Sequence, residues 1–465
     1  MMKNKNDLHN TIDRMLPNLS GYIKEYKDFF ITSTDDSSEL SELYISGLIK
    51  TERGKRNIER IHEELDMLGD GYQQIQQFIT DSPWDAFGLI RKVAQNTSNL
   101  YANQHGYDVR DVGYIIDESS HLKKGEASVG VSRQYAGVIG KVDNCQVGVY
   151  SSLVWQNNTS LINCRLFLPE CWTEDYARCQ KAGIPGNRRI YKTKPQLALG
   201  MLKADIEAGV RFGWVGGDGL YGHGHELNYA IEDMGLTFLL DIHKDQAVYM
   251  QKPMIFLPKK KSGRGRTPTR LRTLEPTTIV DDYRMKLDEK QWEEVEIRET
   301  TKGTLKLFIH TVPVWVWDEK ENHPRERVLV ISRNDKEKRI KYSLSNADMA
   351  ITPLQQFAYM QAQRYWIERS FQDSKSELGM SDYQVRKWSG WHHHMALVIL
   401  AMSFIVKERV QNKADYPLLS CRDIRIMIIA LLIGDNNLIE KRKLQMEFRH
   451  RQRYKDIQRY IQKQS

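Results

Sequence analysis

Two short apolar runs, each followed by an aspartate, constrain this sequence most strongly. Residues 112–117 read Val-Gly-Tyr-Ile-Ile-Asp, and residues 212–218 read Phe-Gly-Trp-Val-Gly-Gly-Asp. Runs of this length and composition are typical of buried strands. We therefore predict two strands that end at Asp117 and Asp218 and carry these side chains to the edge of a sheet. Taken alone, an aspartate among glycines such as Asp218 is more typical of a turn.

The residues around the second run predict alternating helices and strands. Residues 194–208 and 226–234 have apolar residues at helical spacing, and residues 237–242 are an apolar strand-like run. Strands joined through a helix pair in parallel. The fold class predicted from this alternation is α/β.

The chain of 465 residues is long enough for several domains. Changes in periodicity and charge divide it into five predicted segments. These are a helical N-terminal region for DNA binding or dimerisation (1–105), the first part of an α/β core (106–244), a mainly β insertion (245–350), the second part of the core (351–411) and a basic helical C-terminal region (412–465).

One predicted helix, residues 361–375, brings a carboxylate together with two cations. Arg364, Glu368 and Lys375 are spaced so that their side chains fall near one face of a continuous helix. An apolar stripe beside them consists of Ile367, Phe371 and Leu378. By itself such a face is most often a solvated set of ion pairs.

Asp117, Asp218 and Glu368 together suggest metal chemistry. Carboxylates brought together from distant positions repel one another unless cations lie between them, and Mg²⁺ prefers oxygen ligands. Two such ions can activate a water or a 3′-hydroxyl and stabilise the leaving oxygen of a phosphodiester. Spacing alone leaves this set as one of many possible triples of acids.

Charge and composition favour a polyanionic partner inside the cell. The formal net charge is +8, with basic residues concentrated at 259–266 and 441–463. The five cysteines form no Cys-x-x-Cys pair and no zinc-ligand spacing. We expect no signal peptide and no membrane span, because the longest apolar run, 395–406, is too short to cross a bilayer. The expected location is the cytoplasm.

Several residues are candidates for contact with nucleic acid. The predicted phosphate ligands are Lys123, Lys124, Arg133, Lys259, Lys260, Lys261, Arg264 and Arg266, although Lys123 and Lys124 could equally form a solvated turn. Trp315 and Trp317 could stack on a flipped base or be buried strand residues. Three consecutive histidines, His392–His394, point in different directions on a helix, so they cannot share one metal ion well.

Longer blocks of sequence carry a family resemblance. They include 128–137 (Ser-Val-Gly-Val-Ser-Arg-Gln-Tyr-Ala-Gly), 168–172 (Leu-Pro-Glu-Cys-Trp) and 390–394 (Gly-Trp-His-His-His). In these blocks the chain resembles bacterial insertion-sequence DDE transposases, and within that group the family typified by insertion sequence 701. The group's Tyr-Arg-Glu-Lys signature is matched at Arg364, Glu368 and Lys375, but Gln361 stands at the tyrosine position.

The resemblance implies a ribonuclease-H-like core with a β insertion and a cut-and-paste mechanism. It implies that Asp117, Asp218 and Glu368 are catalytic and bind two Mg²⁺ (or Mn²⁺) ions, while Arg364 and Lys375 hold phosphates of the DNA ends. It also implies double-stranded DNA as partner, both transposon ends and target, and a homodimer in the bacterial cytoplasm that is nucleoid-associated when bound to DNA. The missing tyrosine puts a hairpin intermediate in doubt.

Two other functions fit the same residues. One is a ribonuclease-H-like nuclease that cuts DNA without joining it, and the other is a DNA-binding regulator derived from a transposase that has no catalysis. A metallohydrolase acting on other substrates fits less well, because the basic loop and tail favour a polyanion.

Overall fold

The computed structural model describes residues 11–67, 70–259, 268–300, 303–334 and 339–464, which form a mixed α/β fold. The α-helices are, in chain order, α1 (Met15–Lys24), α2 (Ser38–Lys50), α3 (Ile58–Glu64), α4 (Gly71–Thr80), α5 (Ala86–Ala102), α6 (Glu170–Thr173), α7 (Tyr176–Lys181), α8 (Lys194–Glu207), α9 (Gly219–Gly222), α10 (His225–Asp233), α11 (Val280–Arg284), α12 (Leu354–Gln363), α13 (Tyr365–Leu378), α14 (Trp388–Gln411), α15 (Cys421–Ile433) and α16 (Asn436–Gln464). The strands are β1 (Val112–Leu122), β2 (Ser132–Ala136), β3 (Lys141–Trp155), β4 (Asn158–Leu166), β5 (Trp214–Gly217), β6 (Thr237–Ile242), β7 (Ala247–Val248), β8 (Thr278–Ile279), β9 (Glu293–Thr300), β10 (Gly303–Val316), β11 (Arg325–Asn334) and β12 (Arg339–Ser345).

The chain falls into two compact units, each built from separate stretches. Unit 1 consists of Met1–Val112, Ile116–Phe212 and Tyr365–Arg459, and unit 2 of Gly113–Ile115, Gly213–Arg364 and Tyr460–Ser465. Strand β1 therefore contributes residues to both units. The α/β class predicted from the sequence is confirmed, whereas the boundaries of the five predicted segments stay predictions.

The core of unit 1 is organised around helix α14. This helix packs against α5 and β4, and its side chains are buried along almost the whole length, including Trp391 and Leu400, which are fully buried. Within the described residues α14 alone is long and apolar enough to cross a membrane, but 94% of its most apolar window is buried inside the protein. Contact with other elements of unit 1 therefore accounts for its hydrophobicity.

The strands of unit 1 follow the order β2–β3–β1, with β4 also paired to β3. Both β2 and β4 are antiparallel to β3. The predicted end of the first strand at Asp117 is wrong, because β1 continues to Leu122. Hydrogen bonding to β3 persists as far as the Lys123 N–H, which donates to the Asn144 carbonyl at 3.0 Å. The apolar run at 112–117 could not predict this continuation, because pairing with β3 depends on residues far away in the chain.

Unit 2 contains a mixed sheet that confirms the predicted parallel pairing. Strands β5 and β6 are parallel, and the sheet continues through β12, β11, β10 and β9 with antiparallel pairs. Residues Gly113–Ile115 of β1 lie beside β5. An apolar cluster that includes Val248, Val280 and Val314 fills the space on this sheet. Strand β12 was not predicted.

The predicted helix over residues 361–375 is wrong in one respect, since it is interrupted. Helix α12 ends at Gln363, and α13 begins at Tyr365 after a single turn residue, Arg364. The dihedral angles of Arg364 (φ −54°, ψ −32°) remain helical. No glycine or proline marks the interruption, so the sequence pattern gave no sign of it. Arg364 and Glu368 therefore do not lie on one uninterrupted helix.

Candidate active site

Asp117 lies half-buried on β1, in unit 1. Its Oδ1 accepts a hydrogen bond from the N–H of Glu118 at 2.8 Å. The Glu118 carboxylate in turn lies 2.9 Å from Nζ of Lys194, in the first turn of α8. The structure thus adds a second acid and a cation beside Asp117. Glu118 directly follows Asp117 in the chain, but the sequence predicted no role for Glu118.

Asp218 directly follows β5 in unit 2 and caps the N-terminus of helix α9. Its Oδ1 accepts a hydrogen bond from the Leu220 N–H at 2.9 Å, and its backbone is extended (φ −80°, ψ −174°). Capping by aspartate satisfies a backbone donor that has no partner within the helix. The side chain is half-buried, so Asp218 is a strand-end aspartate with a local structural role as well.

The glycines around Asp218 are explained by close packing rather than by unusual backbone angles. Gly216 and Gly219 are absent from the positions with positive φ. A Cβ on Gly216 would lie 2.7 Å from the Trp214 ring, and one on Gly222 would lie 1.9 Å from the Asp241 carbonyl oxygen. A side chain at either position would displace its neighbours, and at Gly222 the neighbour is backbone. Close packing therefore explains why glycine occupies positions 216 and 222.

Glu368 is exposed in the first turn of α13, in unit 1. A carboxylate there is favoured by the partial positive charge of a helix N-terminus. The apolar stripe predicted beside it is buried at Ile367, Phe371 and Leu378. Two turns further on, Nζ of Lys375 lies 3.4 Å from the carbonyl oxygen of Ser120 on β1. Burial lowers the pKa of Lys375 to about 8.

Arg364 belongs to unit 2, where an aspartate holds it. Its Nε lies 2.9 Å from Oδ2 of Asp241 on β6. Oδ1 of the same aspartate accepts a hydrogen bond from Ser343 Oγ at 2.7 Å. Ser343 Oγ in turn accepts one from Nε2 of Gln361 at 2.7 Å. The residue at the missing tyrosine position is thus connected to Arg364 through two other side chains.

Gln361 itself is almost fully buried, with 1% of its surface exposed. Its Oε1 has no hydrogen-bond partner among the described residues. Burial of an unsatisfied amide oxygen costs about 1–3 kcal/mol. A side chain this deeply buried is not accessible to DNA.

The predicted phosphate ligands near β1 differ in their surroundings. Lys123 donates to the Tyr383 carbonyl at 2.7 Å and its Nζ lies 3.5 Å from the centre of the Tyr383 ring. Burial lowers the pKa of Lys123 to about 7, so this side chain is partly neutral at neutral pH. Lys124 and Arg133 are exposed, as is Lys259. The remaining predicted basic residues, Lys260, Lys261, Arg264 and Arg266, lie outside the described residues.

The two predicted stacking residues lie at the end of the long strand β10. Trp315 is half-buried, and Nζ of Lys252 lies 5.1 Å from its ring centre. Trp317 is buried, with 7% exposed, and its Nε1 donates to the Glu321 carbonyl at 2.8 Å. Only Trp315 therefore presents part of its ring to solvent, and base stacking by either residue stays a prediction.

The three consecutive histidines are buried, and the Nδ1 atom of each has its own partner. Nδ1 of His392 lies 2.9 Å from the Trp388 carbonyl, that of His393 lies 2.8 Å from the Ile79 carbonyl, and that of His394 lies 2.9 Å from the Tyr44 hydroxyl. Burial lowers the pKa of His392 to about 3 and that of His393 to about 4. They serve as neutral hydrogen-bonding groups in the core of unit 1.

Two residues next to the predicted site were missed, Asp241 and Ser343. Asp241 interrupts the apolar run Thr-Phe-Leu-Leu-Asp-Ile at 237–242. An acid within a strand of that composition is unusual and could have been singled out. Ser343 has no comparable signal, because it lies on β12, which was not predicted.

Comparison with known proteins connects these residues to a family. The family described as DDE superfamily endonuclease matches residues 29–304, a stretch that contains Asp117 and Asp218 but not Glu368. The chain is also 30% identical over 180 residues to a protein of Microchaete diplosiphon named as a probable transposase for insertion sequence element IS701. That match covers 38% of this chain and 43% of the relative's length.

A distant likeness to a solved structure was also found. A piggyBac transposase in a synaptic complex with hairpin DNA aligns with 94% of this chain and 81% of its own, at 10% identity and a TM-score of 0.42. A score this low carries no weight for the fold. The sequence matches confirm the resemblance inferred from the longer blocks of sequence, and the family match spans more than half of the chain. The chain therefore belongs to the DDE superfamily endonucleases.

Proposed function

We propose that this protein is a cut-and-paste DNA transposase. It binds the terminal inverted repeats of its own element as a homodimer, cleaves the ends and joins the freed 3′-hydroxyls to target DNA. The observation that carries the proposal is the family match over residues 29–304, which includes two of the three predicted carboxylates. The proposed location is the bacterial cytoplasm, on the nucleoid when bound to DNA.

The proposed catalytic carboxylates are those of Asp117, Asp218 and Glu368. In unit 2, Ile115 of β1 lies close to Gly216 of β5. Asp117 is two residues beyond Ile115, about 7 Å along an extended strand, and Asp218 follows β5 directly. In unit 1, the contact between Lys375 and Ser120 joins the helix of Glu368 to the strand of Asp117. Each relationship lies within one unit, and the sharing of one site by the three carboxylates is part of the proposal.

The donor set suits Mg²⁺ or Mn²⁺. Asp117, Glu118 and Asp218 each offer a carboxylate oxygen as a possible metal ligand, and such hard donors match these ions. When bound, two divalent ions would help deprotonate the attacking water or 3′-hydroxyl and stabilise the leaving oxygen. Carboxylates that share a site would repel one another without a cation, so divalent ions would allow these acids to act together.

The two cations of the family signature, Arg364 and Lys375, would position the DNA. A guanidinium fork matches the geometry of a phosphate, and Asp241 orients that of Arg364. Lys375 adds a point charge close to β1. We also propose that the catalytic region has a ribonuclease-H-like topology, which the antiparallel β4–β3 pair in unit 1 and the parallel β5–β6 pair in unit 2 support.

The test uses the full chain and a duplex that ends in the terminal repeat of its own element. Asp117→Asn, Asp218→Asn and Glu368→Gln should each lower strand cleavage at least about a thousandfold and leave end binding within a few fold. The matched control is Glu207→Gln, an exposed glutamate on α8, which should cleave as the unchanged protein does. Cleavage retained by Glu368→Gln would remove that residue from the proposal.

A pre-cleaved end separates the alternative functions. A transposase should join its 3′-hydroxyl to a target duplex when Mg²⁺ is present. Cleavage without any joined product would indicate a nuclease, and binding without cleavage under any divalent ion would indicate a regulator.

A further inference from the structure

The C-terminal helix α16 has two faces with different chemistry. Its inner positions 443, 446 and 450 are buried. Its outer positions 441, 444, 448, 451 and 455 are exposed and follow one another at steps of three or four residues, which places them on one side of a helix. The two faces are therefore occupied by different sets of side chains.

The inner face is fixed by ion pairs within unit 1. Asp423, on α15, is buried and accepts contacts from Arg449 at 2.9 Å, His450 at 3.2 Å and Arg453 at 3.3 Å. Lys443 lies 2.9 Å from Asp13 and 3.0 Å from Glu440. Cations on this side are thus already matched by acids of the protein, and they fix the rotation of the helix about its axis.

The outer face carries cations without matching acids. Lys441, Arg451 and Lys455 are exposed, and none forms an ion pair with any residue that the structure describes. Arg459, one turn beyond Lys455, continues the face and lies 3.5 Å from Asp456. From residue 441 to residue 459 the face is about 27 Å long at 1.5 Å per residue. That length corresponds to about eight base pairs at 3.4 Å each.

We propose that this outer face of α16, defined by Lys441, Arg451 and Lys455, binds the phosphate backbone of duplex DNA independently of base sequence. Charge complementarity favours this occupant, because three cations on one rigid helix face match a line of phosphates. The rival occupant is a second copy of the chain, docked through the exposed Leu444 and Phe448. Two copies of the same basic face would bring like charges together, which disfavours that contact.

The proposal rests on the proposed function for its partner, but it concerns a surface separate from the three carboxylates. Its test is equilibrium binding of the full chain to a fluorescent 20-base-pair duplex of unrelated sequence, with EDTA present so that no cleavage occurs. The quantity measured is the magnitude of the slope of log K, where K is the DNA-binding constant, against log salt concentration between 50 and 300 mM NaCl.

Replacing all three cations (K441Q/R451Q/K455Q) should reduce that slope by about 2.7, since each lost phosphate contact removes about 0.9. The matched control R110Q/K306Q/K387Q removes the same formal charge from exposed cations that already pair with Asp108, Glu294 and Asp81, and its slope should change by less than about 0.5. Equal slopes for the two triple variants would overturn the proposal.

A gain of charge tests the same surface without removing any side chain that the fold could need. Gln452→Lys, at an exposed position beside Arg451, should raise the slope by about 0.9. An unchanged slope in that variant would count against the proposal. Light scattering on the same proteins would overturn it in favour of a self-association surface if K441Q/R451Q/K455Q altered the mass while leaving the salt slope unchanged.

The two proposals can fail separately. If none of the carboxylate variants lost end cleavage, the proposed catalytic site would be wrong. The salt slopes would still report on α16. Normal carboxylate effects with no change of slope in K441Q/R451Q/K455Q would remove only the α16 surface.

Discussion

The Nε of Arg364 lies 2.9 Å from Oδ2 of Asp241, so a carboxylate on β6 fixes the arginine of the family signature within unit 2. The other oxygen of Asp241 is held by Ser343 at 2.7 Å, and Ser343 is held by Gln361. If Arg364 holds a DNA phosphate as proposed, Asp241 is a positioning residue that acts through Arg364.

Asp241→Asn should weaken this orientation while keeping the shape of the side chain. We expect the rate of end cleavage to fall roughly tenfold to a hundredfold, because small misplacements of a positioning group have effects of that size. Single-turnover rates and end-binding constants would separate a loss of rate from a loss of affinity. Asp245→Asn, at an exposed position nearby, is the control, and identical kinetics for the two variants would show that Asp241 has no positioning role.

Gln361→Tyr restores the residue of the family signature but should not restore an accessible tyrosine. The site is almost fully buried, so the larger ring should lower the free energy of unfolding by about 1–3 kcal/mol through overpacking. Gln361→Met, of similar volume, should cost about 1 kcal/mol or less, because it removes both the bond to Ser343 and the unsatisfied Oε1. Urea unfolding measures both, and a Gln361→Tyr protein as stable as the unchanged one would contradict the burial argument.

Asp423→Asn should destabilise the packing of α16 on α15. Removing one partner of a buried charge cluster costs roughly 3–5 kcal/mol. The hydrogen bonds from His450, Ser420 and Arg449 outweigh the effect of burial and hold the pKa of Asp423 well below its usual range. Its stabilising contribution is therefore complete above about pH 4, the pKa of an aspartate in an unfolded chain, and is lost as the pH falls further.

The pH dependence of that contribution is measurable as a difference. The gap in unfolding free energy between the unchanged protein and Asp423→Asn should be constant from pH 7 to about pH 5 and should narrow below about pH 4. The urea midpoint of each protein should be followed at each pH, so that the gap is compared only where both proteins are folded. A gap that stays constant down to pH 3 between folded proteins would contradict the prediction. Glu440→Gln, which removes an exposed partner of Lys443, should cost less than about 1 kcal/mol.

Lys375 should make end binding depend on alkaline pH. Because burial lowers its pKa to about 8, its charge is present below that pH and is lost above it. We expect affinity for the DNA end to fall as the pH rises from 7 to 9, and Lys375→Arg to reduce this fall because arginine stays charged. Binding titrations at matched ionic strength would test this, and identical pH profiles for lysine and arginine would argue against a phosphate contact.

A loss of protein stability at alkaline pH would not explain this fall in DNA affinity. A lysine with a lowered pKa binds fewer protons in the folded protein than in the unfolded chain between about pH 8 and pH 10, so its contribution to stability rises with pH in that range. A loss of DNA affinity there would have to come from the change in charge itself.

Local sequence patterns determined the α/β class, the strands β5 and β6, the helices α8 and α10 and the family. The parallel pair β5 and β6 follows from two apolar runs with a helix between them, and helix α8 begins where a capping box of Thr193 and Gln196 precedes apolar spacing. These features depend on residues a few positions apart, so the sequence displays them directly. The longer blocks of sequence pointed to a DDE family for the same reason, and the match to the DDE superfamily endonucleases confirmed that resemblance.

Only the tertiary structure decided what surrounds the candidate residues. The Asp241–Arg364 and Gln361–Ser343 contacts join positions far apart in the chain, and Ser343 lies on a strand that no pattern predicted. The interruption at Arg364 and the continuation of β1 past Asp117 have no glycine or proline to mark them. Burial of Gln361 and the two faces of α16 depend on which neighbours cover each side chain, and a linear pattern does not contain that information.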